Sequence, residues 1–355
     1  MKIAQLIHQS IQQLSKRLLL LLFLFTVVQY GNAESKKDTL VYKAGRDTVR
    51  LQKAQLITFD SGDSMLYFRP KPFQFAKNVP IDLYQLGKTT FSKKNLPALA
   101  AILIGTAALV AVDQPITNAA QQFGRYIHLN PDRKTIPIVK ISGKSVLEFP
   151  ANANSIFYFL GEGWPSLLIA GGFYSYGLTT NNYQALQTTS QLVETFFVLG
   201  ITTQFLKRIT GRESPWIAMD PITGSQVNGG NWHLFPNPKI YQKNVPQYDA
   251  FPSGHLATAM ATITILSGNY PDNMYIKPVG YSLMGLLGFA MLNNGVHWAS
   301  DYPLAIAIGY TCGKISLSHG RQIISKKLKD HGISSSFTPV YLGQGVVGAS
   351  YRLTF

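Results

Sequence analysis

From Leu96 onward the chain carries six apolar stretches: Leu96 to Val112, Trp164 to Leu178, Leu192 to Leu206, Leu256 to Leu266, Val279 to Leu292 and Leu304 to Leu317. Rich in Leu, Ala, Ile and Gly, they are too long for most strands and read as helices. Such segments must bury their faces against one another, which predicts an all-α core. Several fall short of the roughly 17 residues that a membrane span needs. The third also carries Gln191, Glu194 and Gln204 close to its apolar positions. A mean hydropathy of +0.06 is low for a chain that is mostly transmembrane, so either the helices are buried in a periplasmic protein or one of them does not cross.

The ends of the chain have a different texture. Residues 1–33 carry Lys2, Lys16 and Arg17, then the apolar run Leu18 to Val28, then Gly31-Asn32-Ala33. That order of basic, apolar and small residues reads as a cleaved secretory signal. The protein is therefore expected to leave the cytoplasm for the periplasm or the cell-envelope membrane. Residues 34–94 read as a polar extension with a few strands, at Thr39 to Tyr42, Leu56 to Phe59 and Met65 to Phe68. Residues 331–355 alternate as in a β-hairpin that ends on Phe355.

Composition removes several classes. One cysteine, Cys312, makes neither an intramolecular disulfide nor a multi-thiolate zinc site. Lys+Arg 32 against Asp+Glu 17 gives +15, and removal of the leader's three cations leaves +12. This favours an anionic partner, such as a phosphate ester or an anionic membrane surface. Scattered cations and the lack of a recognition module argue against nucleic acid.

Three short segments lie where helix ends would meet. The first, Lys207 to Pro215, follows the third apolar stretch and contains Arg208 and Arg212. A basic cluster there also complements a helix C-terminus. The second is Phe251-Pro252-Ser253-Gly254-His255, directly before the fourth stretch. Ser253 reads as an N-cap, Gly254 permits close approach of a ligand, and the first N–H groups of the helix suit a phosphate oxygen. The third runs from Gly295 to Asp301. His297 and Asp301 share a face if that stretch is helical, so the carboxylate accepts from one ring nitrogen and leaves the other free as nucleophile or base.

Together these segments resemble the signature of the type 2 phosphatidic acid phosphatase and vanadium haloperoxidase superfamily. Its blocks are Lys, six residues, Arg-Pro; then Pro-Ser-Gly-His; then Ser-Arg, five residues, His, three residues, Asp. Lys207 and Pro215 match the first block, Pro252 to His255 the second in full, and His297 and Asp301 the third. The likeness spans Leu96 to Leu317 and implies a six-helix bundle over 95–330, flanked by the β-containing extension and tail. Two positions depart from it. Ser214 replaces the first-block arginine, and Ala290-Met291 replaces Ser-Arg. Neither side chain supplies the planar, charged grip of arginine, and Arg208 and Arg212 are the candidates to refill that role.

The resemblance implies a metal-independent phosphatase acting on phosphate monoesters or pyrophosphates, with no cofactor. His297 attacks phosphorus, His255 protonates the leaving oxygen, Asp301 orients His297, and Lys207, Ser253 and Gly254 hold the remaining oxygens. The sequence shows no dense Asp/Glu/His cluster to hold a metal. Compartment and apolar helices point to a phosphorylated lipid, with a small phosphomonoester as the other class. Trp298 is expected in the core. The alternative is a degenerate relative that binds or assembles without turnover; retention of Lys207, His255, His297 and Asp301 favours the enzyme.

Overall fold

The computed structural model describes residues 38–44, 49–129, 131, 135–141, 144–218, 227–324, 334–341 and 347–354. The expected leader lies outside the described residues. In chain order the helices are α1 (Gln74–Thr90), α2 (Leu96–Val110), α3 (Asp113–Tyr126), α4 (Ala153–Phe159), α5 (Trp164–Thr179), α6 (Tyr183–Thr210), α7 (Pro238–Lys243), α8 (Gly254–Asn269), α9 (Ile276–Asn293) and α10 (Tyr302–Leu317). The strands are β1 (Asp38–Ala44), β2 (Val49–Thr58), β3 (Ser64–Phe68), β4 (Thr135–Ile141), β5 (Lys144–Pro150), β6 (Arg321–Ile324), β7 (Ser334–Tyr341) and β8 (Val347–Thr354). The fold is a helical bundle with strands at both ends, and all six expected helices are present as α2, α5, α6, α8, α9 and α10.

Three helices set the architecture of the site. α8 and α10 run parallel, because Gly309 meets Ala257, Gly313 meets Thr264, and Leu317 meets Gly268. A Cβ at Gly309 would stand 2.2 Å from the Ala257 carbonyl oxygen, so glycine is what lets these backbones approach. α6 runs antiparallel to both: Thr195 hydrogen-bonds Ser316 near the end of α10, and the far end of α6 approaches the start of α8. One end of the bundle therefore gathers the C-terminus of α6 and the N-termini of α8 and α10. The core beneath it joins Val198, Leu199, Leu256, Leu287, Met291 and Ile308.

The N-terminal region differs from a polar extension. α1 occupies its second half and places Leu86 in the main core. Pro80 lies inside this helix and disguised it in the sequence, since proline removes one helical hydrogen bond; packing against α6 and α10 compensates. The antiparallel sheet has the order β1-β2-β3-β6, so a strand from beyond the last helix completes it. That sheet crosses the boundary expected between extension and helical domain. The buried Gln187 amide ties it to α6 by donating to the Phe68 carbonyl at 2.6 Å. β4 pairs with β5 in a hairpin between α3 and α4, and β7 with β8 in the tail.

α2 is inverted relative to a helix of a water-soluble bundle. Its one buried side chain is Thr106, while Ile104 is 70% and Leu103 48% exposed. No single described helix is long and apolar enough to cross a membrane; α2 and α3 pass that test only together, bent by 68°.

Gly309→Ala should lower unfolding stability by about 1–3 kcal/mol through overpacking. Gly105→Ala in α2, where the added methyl meets nothing within 4 Å, should instead be neutral or stabilising by about 0.5–1 kcal/mol. Denaturant unfolding of the two variants checks this contrast.

Candidate active site

The three sequence segments converge through backbone hydrogen bonds. Ala250 N–H donates to the Arg212 carbonyl at 3.0 Å, joining the first segment to the second. Ser253 N–H donates to the Asp301 carbonyl at 3.2 Å, joining the second to the third. Trp298 Nε1–H donates to the Glu213 carbonyl at 2.8 Å and closes the ring. Trp298 is fully buried beneath the site.

His255 and His297 face one another with ring centroids 5.7 Å apart. His255 lies in the first turn of α8, against the Tyr158 ring at 4.7 Å. Its backbone is so close to the turn after α4 that a Cβ at Gly161 would sit 2.9 Å from the His255 Cα. His297 is 2% exposed, and its Nδ1 lies 2.7 Å from the Ala250 carbonyl oxygen. A carbonyl only accepts, so Nδ1 carries the proton and Nε2 carries the lone pair.

This corrects one expectation. Asp301 Oδ2 is 3.4 Å from His297 Nδ1, farther than the Ala250 carbonyl, so a backbone group is the main acceptor for the ring. The pair lies in a turn and a short 3₁₀ segment, Ala299–Asp301, rather than on one α-helical face. Asp301 Oδ2 accepts instead from the Trp298 N–H at 2.7 Å, and Oδ1 from Arg212 Nη1 at 2.6 Å.

Arg212 does not refill the anion site. Its Nε donates to the Gly229 carbonyl, Nη2 to Gly229 and to Asp113 Oδ2, and Nη1 to Ser300 Oγ and Asp301 Oδ1. Five bonds match the five N–H groups of a guanidinium. The side chain is fully buried between the Trp232 and Trp298 rings, with Cζ 4.8 and 5.6 Å from their centroids. Arg208 also points elsewhere, stacking on Tyr241 at 4.7 Å and donating to Gln204.

The remaining candidates divide. Lys207 is buried at the end of α6, and its Nζ lies 4.0 Å from where a Cβ on Gly254 would be, so its ammonium sits at the start of α8. It pairs with Asp249 Oδ2 at 2.7 Å. The other Asp249 oxygen accepts from the Tyr241 hydroxyl, whose pKa is pushed up by burial and then by the Asp249 charge. Ser253 caps α8, as expected, by accepting from the Leu256 N–H. Its hydroxyl is fully buried and donates to Met291 Sδ at 3.6 Å, so it is directed away from an anion. Met291 is likewise fully buried.

Sequence reasoning missed Ala250, Gly161, Tyr158, Asp249, Ser300 and Asp113. Asp113 carried a signal, as the sole acidic residue between Asp82 and Asp132, directly after an apolar stretch. It also missed a His/Asp/Glu cluster. Asp82, Glu194 and His319 bring ligand atoms within 4.8 Å of one another, although 237 residues separate the first from the last.

Comparison with known proteins agrees with the three segments. Residues 188–322 match the model of the PAP2 superfamily. Over these residues the chain is similar to the PAP2 superfamily. A curated relative, lipid A 1-phosphatase of Porphyromonas gingivalis, is 32% identical over 95 residues, which are 26% of this chain. The match spans one fifth of that relative's length. A solved structure, Aquifex aeolicus LpxE, aligns with 47% of this chain and 84% of its own, at 20% identity and a TM-score of 0.34. The matched PAP2 residues contain Lys207, His255, His297 and Asp301.

Arg212→Met would leave Asp113 and Asp301 as uncompensated buried carboxylates. Breaking such a pair costs about 3–5 kcal/mol, so the melting temperature should fall sharply; an unchanged melting curve would contradict the assigned network.

Proposed function

We propose that this protein is a phosphatase that hydrolyses a phosphate monoester or pyrophosphate of an envelope lipid through a phosphohistidine on His297. The observation that carries the reading is the pair of imidazoles 5.7 Å apart at the meeting of two helix N-termini, with the His297 tautomer set by Ala250. His297 Nε2 attacks phosphorus in line, and the bond from phosphorus to the ester oxygen breaks. Protonated His255 gives its proton to that oxygen, then accepts one from the water that cleaves the P–N bond. Lys207 and the N–H groups opening α8 hold the non-bridging oxygens. Asp301 fixes the loop and stabilises charge on the His297 ring.

The lipid A 1-phosphatase relative supports a lipid phosphate as substrate. So do the exposed apolar faces of α2 and α5, where Ile104 and Leu168 are 70% and 52% exposed. An anionic membrane surface then faces a basic chain, +12 once the leader's three cations are removed. The expected location is the periplasm or the envelope membrane.

One observation favours a second reading, a lipid-phosphate-binding component without turnover. Met291 and Ser214 occupy the arginine positions, and Arg212 is committed to Asp113 and Asp301. Loss of a charged donor to a transferring phosphoryl group costs about 3 kcal/mol, or about a hundredfold in rate. Slow catalysis is therefore expected.

Phosphate release from a lipid phosphate by purified protein separates the readings. His297→Ala should abolish release, and His255→Ala should lower it by about 100-fold or more. Equal rates in wild type and His297→Ala would overturn the enzyme reading. Asp249→Asn removes the anion that competes for Lys207, and should lower KM several-fold with little change in kcat.

A further inference from the structure

The cluster at Asp82, Glu194 and His319 stands apart from the imidazole pair. Glu194 and Lys207 lie on the same helix thirteen residues apart, or about 20 Å at 1.5 Å per residue. Asp82 comes from the middle of α1, Glu194 from the middle of α6, and His319 from the turn between α10 and β6. Asp82 and Glu194 are 1% and 0% exposed.

Hydrogen bonds leave this cluster short of positive charge. His319 Nε2 lies 2.7 Å from Asp82 Oδ1, and Ser316 Oγ donates to Asp82 Oδ2 at 3.4 Å. Asn78 Nδ2 donates to Glu194 Oε2 at 2.6 Å. Glu194 Oε1 is buried with no hydrogen-bond partner. No Lys or Arg forms an ion pair with either carboxylate among the described residues. Two buried acidic groups with an orphaned oxygen require a cation or a proton between them.

We propose that Asp82, Glu194 and His319 bind one divalent transition-metal ion of the Zn²⁺ or Mn²⁺ class, clamping α1, α6 and the end of α10. Two carboxylate oxygens and one imidazole nitrogen form a mixed donor set that suits Zn²⁺ through both ligand types and Mn²⁺ chiefly through its oxygens. Ser316 Oγ and Asn78 stand beside the ligands as outer partners. His319 is oriented independently, since its carbonyl accepts from the buried Gln191 amide at 2.8 Å. Binding would displace the His319 Nε2 proton and place that lone pair on the metal. The proposal is independent of the phosphatase reading, because no reacting group belongs to the cluster.

The test uses the purified full chain, stripped with a chelator, re-supplied with Zn²⁺ or Mn²⁺ and desalted. Elemental analysis should find about one equivalent retained, with a raised melting temperature relative to the stripped protein. Glu194→Gln, which keeps the shape of the carboxyl, and His319→Asn should both lower retained metal by roughly tenfold or more and abolish the shift. Wild type holding no more of either metal than Glu194→Gln would overturn the site, and a shared proton would then close the cluster. If Glu194→Gln does not fold, failure of His319→Asn to lower retention also overturns it.

Discussion

The buried ion triad of Asp113, Arg212 and Asp301 is the constraint on which the rest of the site depends. Each of its ion pairs is 2.6 Å long, between side chains with no exposure to solvent. Taking three charges out of water is expensive, and only complete hydrogen bonding offsets that cost. All five guanidinium N–H groups have an acceptor, and the two flanking indoles exclude water from its faces. The triad joins the bend between α2 and α3, the loop before α7 and the start of α10, so it sets where the loop bearing His297 can lie.

That solution has a chemical consequence. The guanidinium closest in sequence to the empty arginine position is unavailable to an anion, and Met291 packs against Ser253 where a second one is absent. Lys207 remains, with Asp249 already on it. Under the proposed phosphatase reading, electrostatic stabilisation of a phosphoryl group rests on one shared ammonium, on the N-termini of α8 and α10, and on the protonated His255. The two imidazoles are brought together, while the two arginine positions of the resembled signature carry no charge.

Much of this was legible in the sequence where the signal is local. Apolar runs bounded by polar residues marked six helices, Ser253 marked the start of α8, and the spacing of Pro252, His255, His297 and Asp301 marked the two rings. What was not legible depends on long-range packing. The Ala250 carbonyl that sets the His297 tautomer has no side-chain signature, and any residue could supply it. Arg212 and Arg208 are near neighbours in the chain, yet a helix end rotates one into the core and the other onto Tyr241. The acidic cluster is invisible for the same reason, since α1 looked like an extension and nothing local marks Glu194 or His319 as its partners.

The central claim is a covalent bond between phosphorus and His297. Rapid denaturing quench of wild type with a lipid phosphate labelled on phosphorus tests it most directly. The account predicts a labelled protein, stable in base and labile in acid, with the label mapped to His297 and absent from His297→Ala. Phosphate release by wild type with no such label, or a label of equal size in His297→Ala, would contradict it.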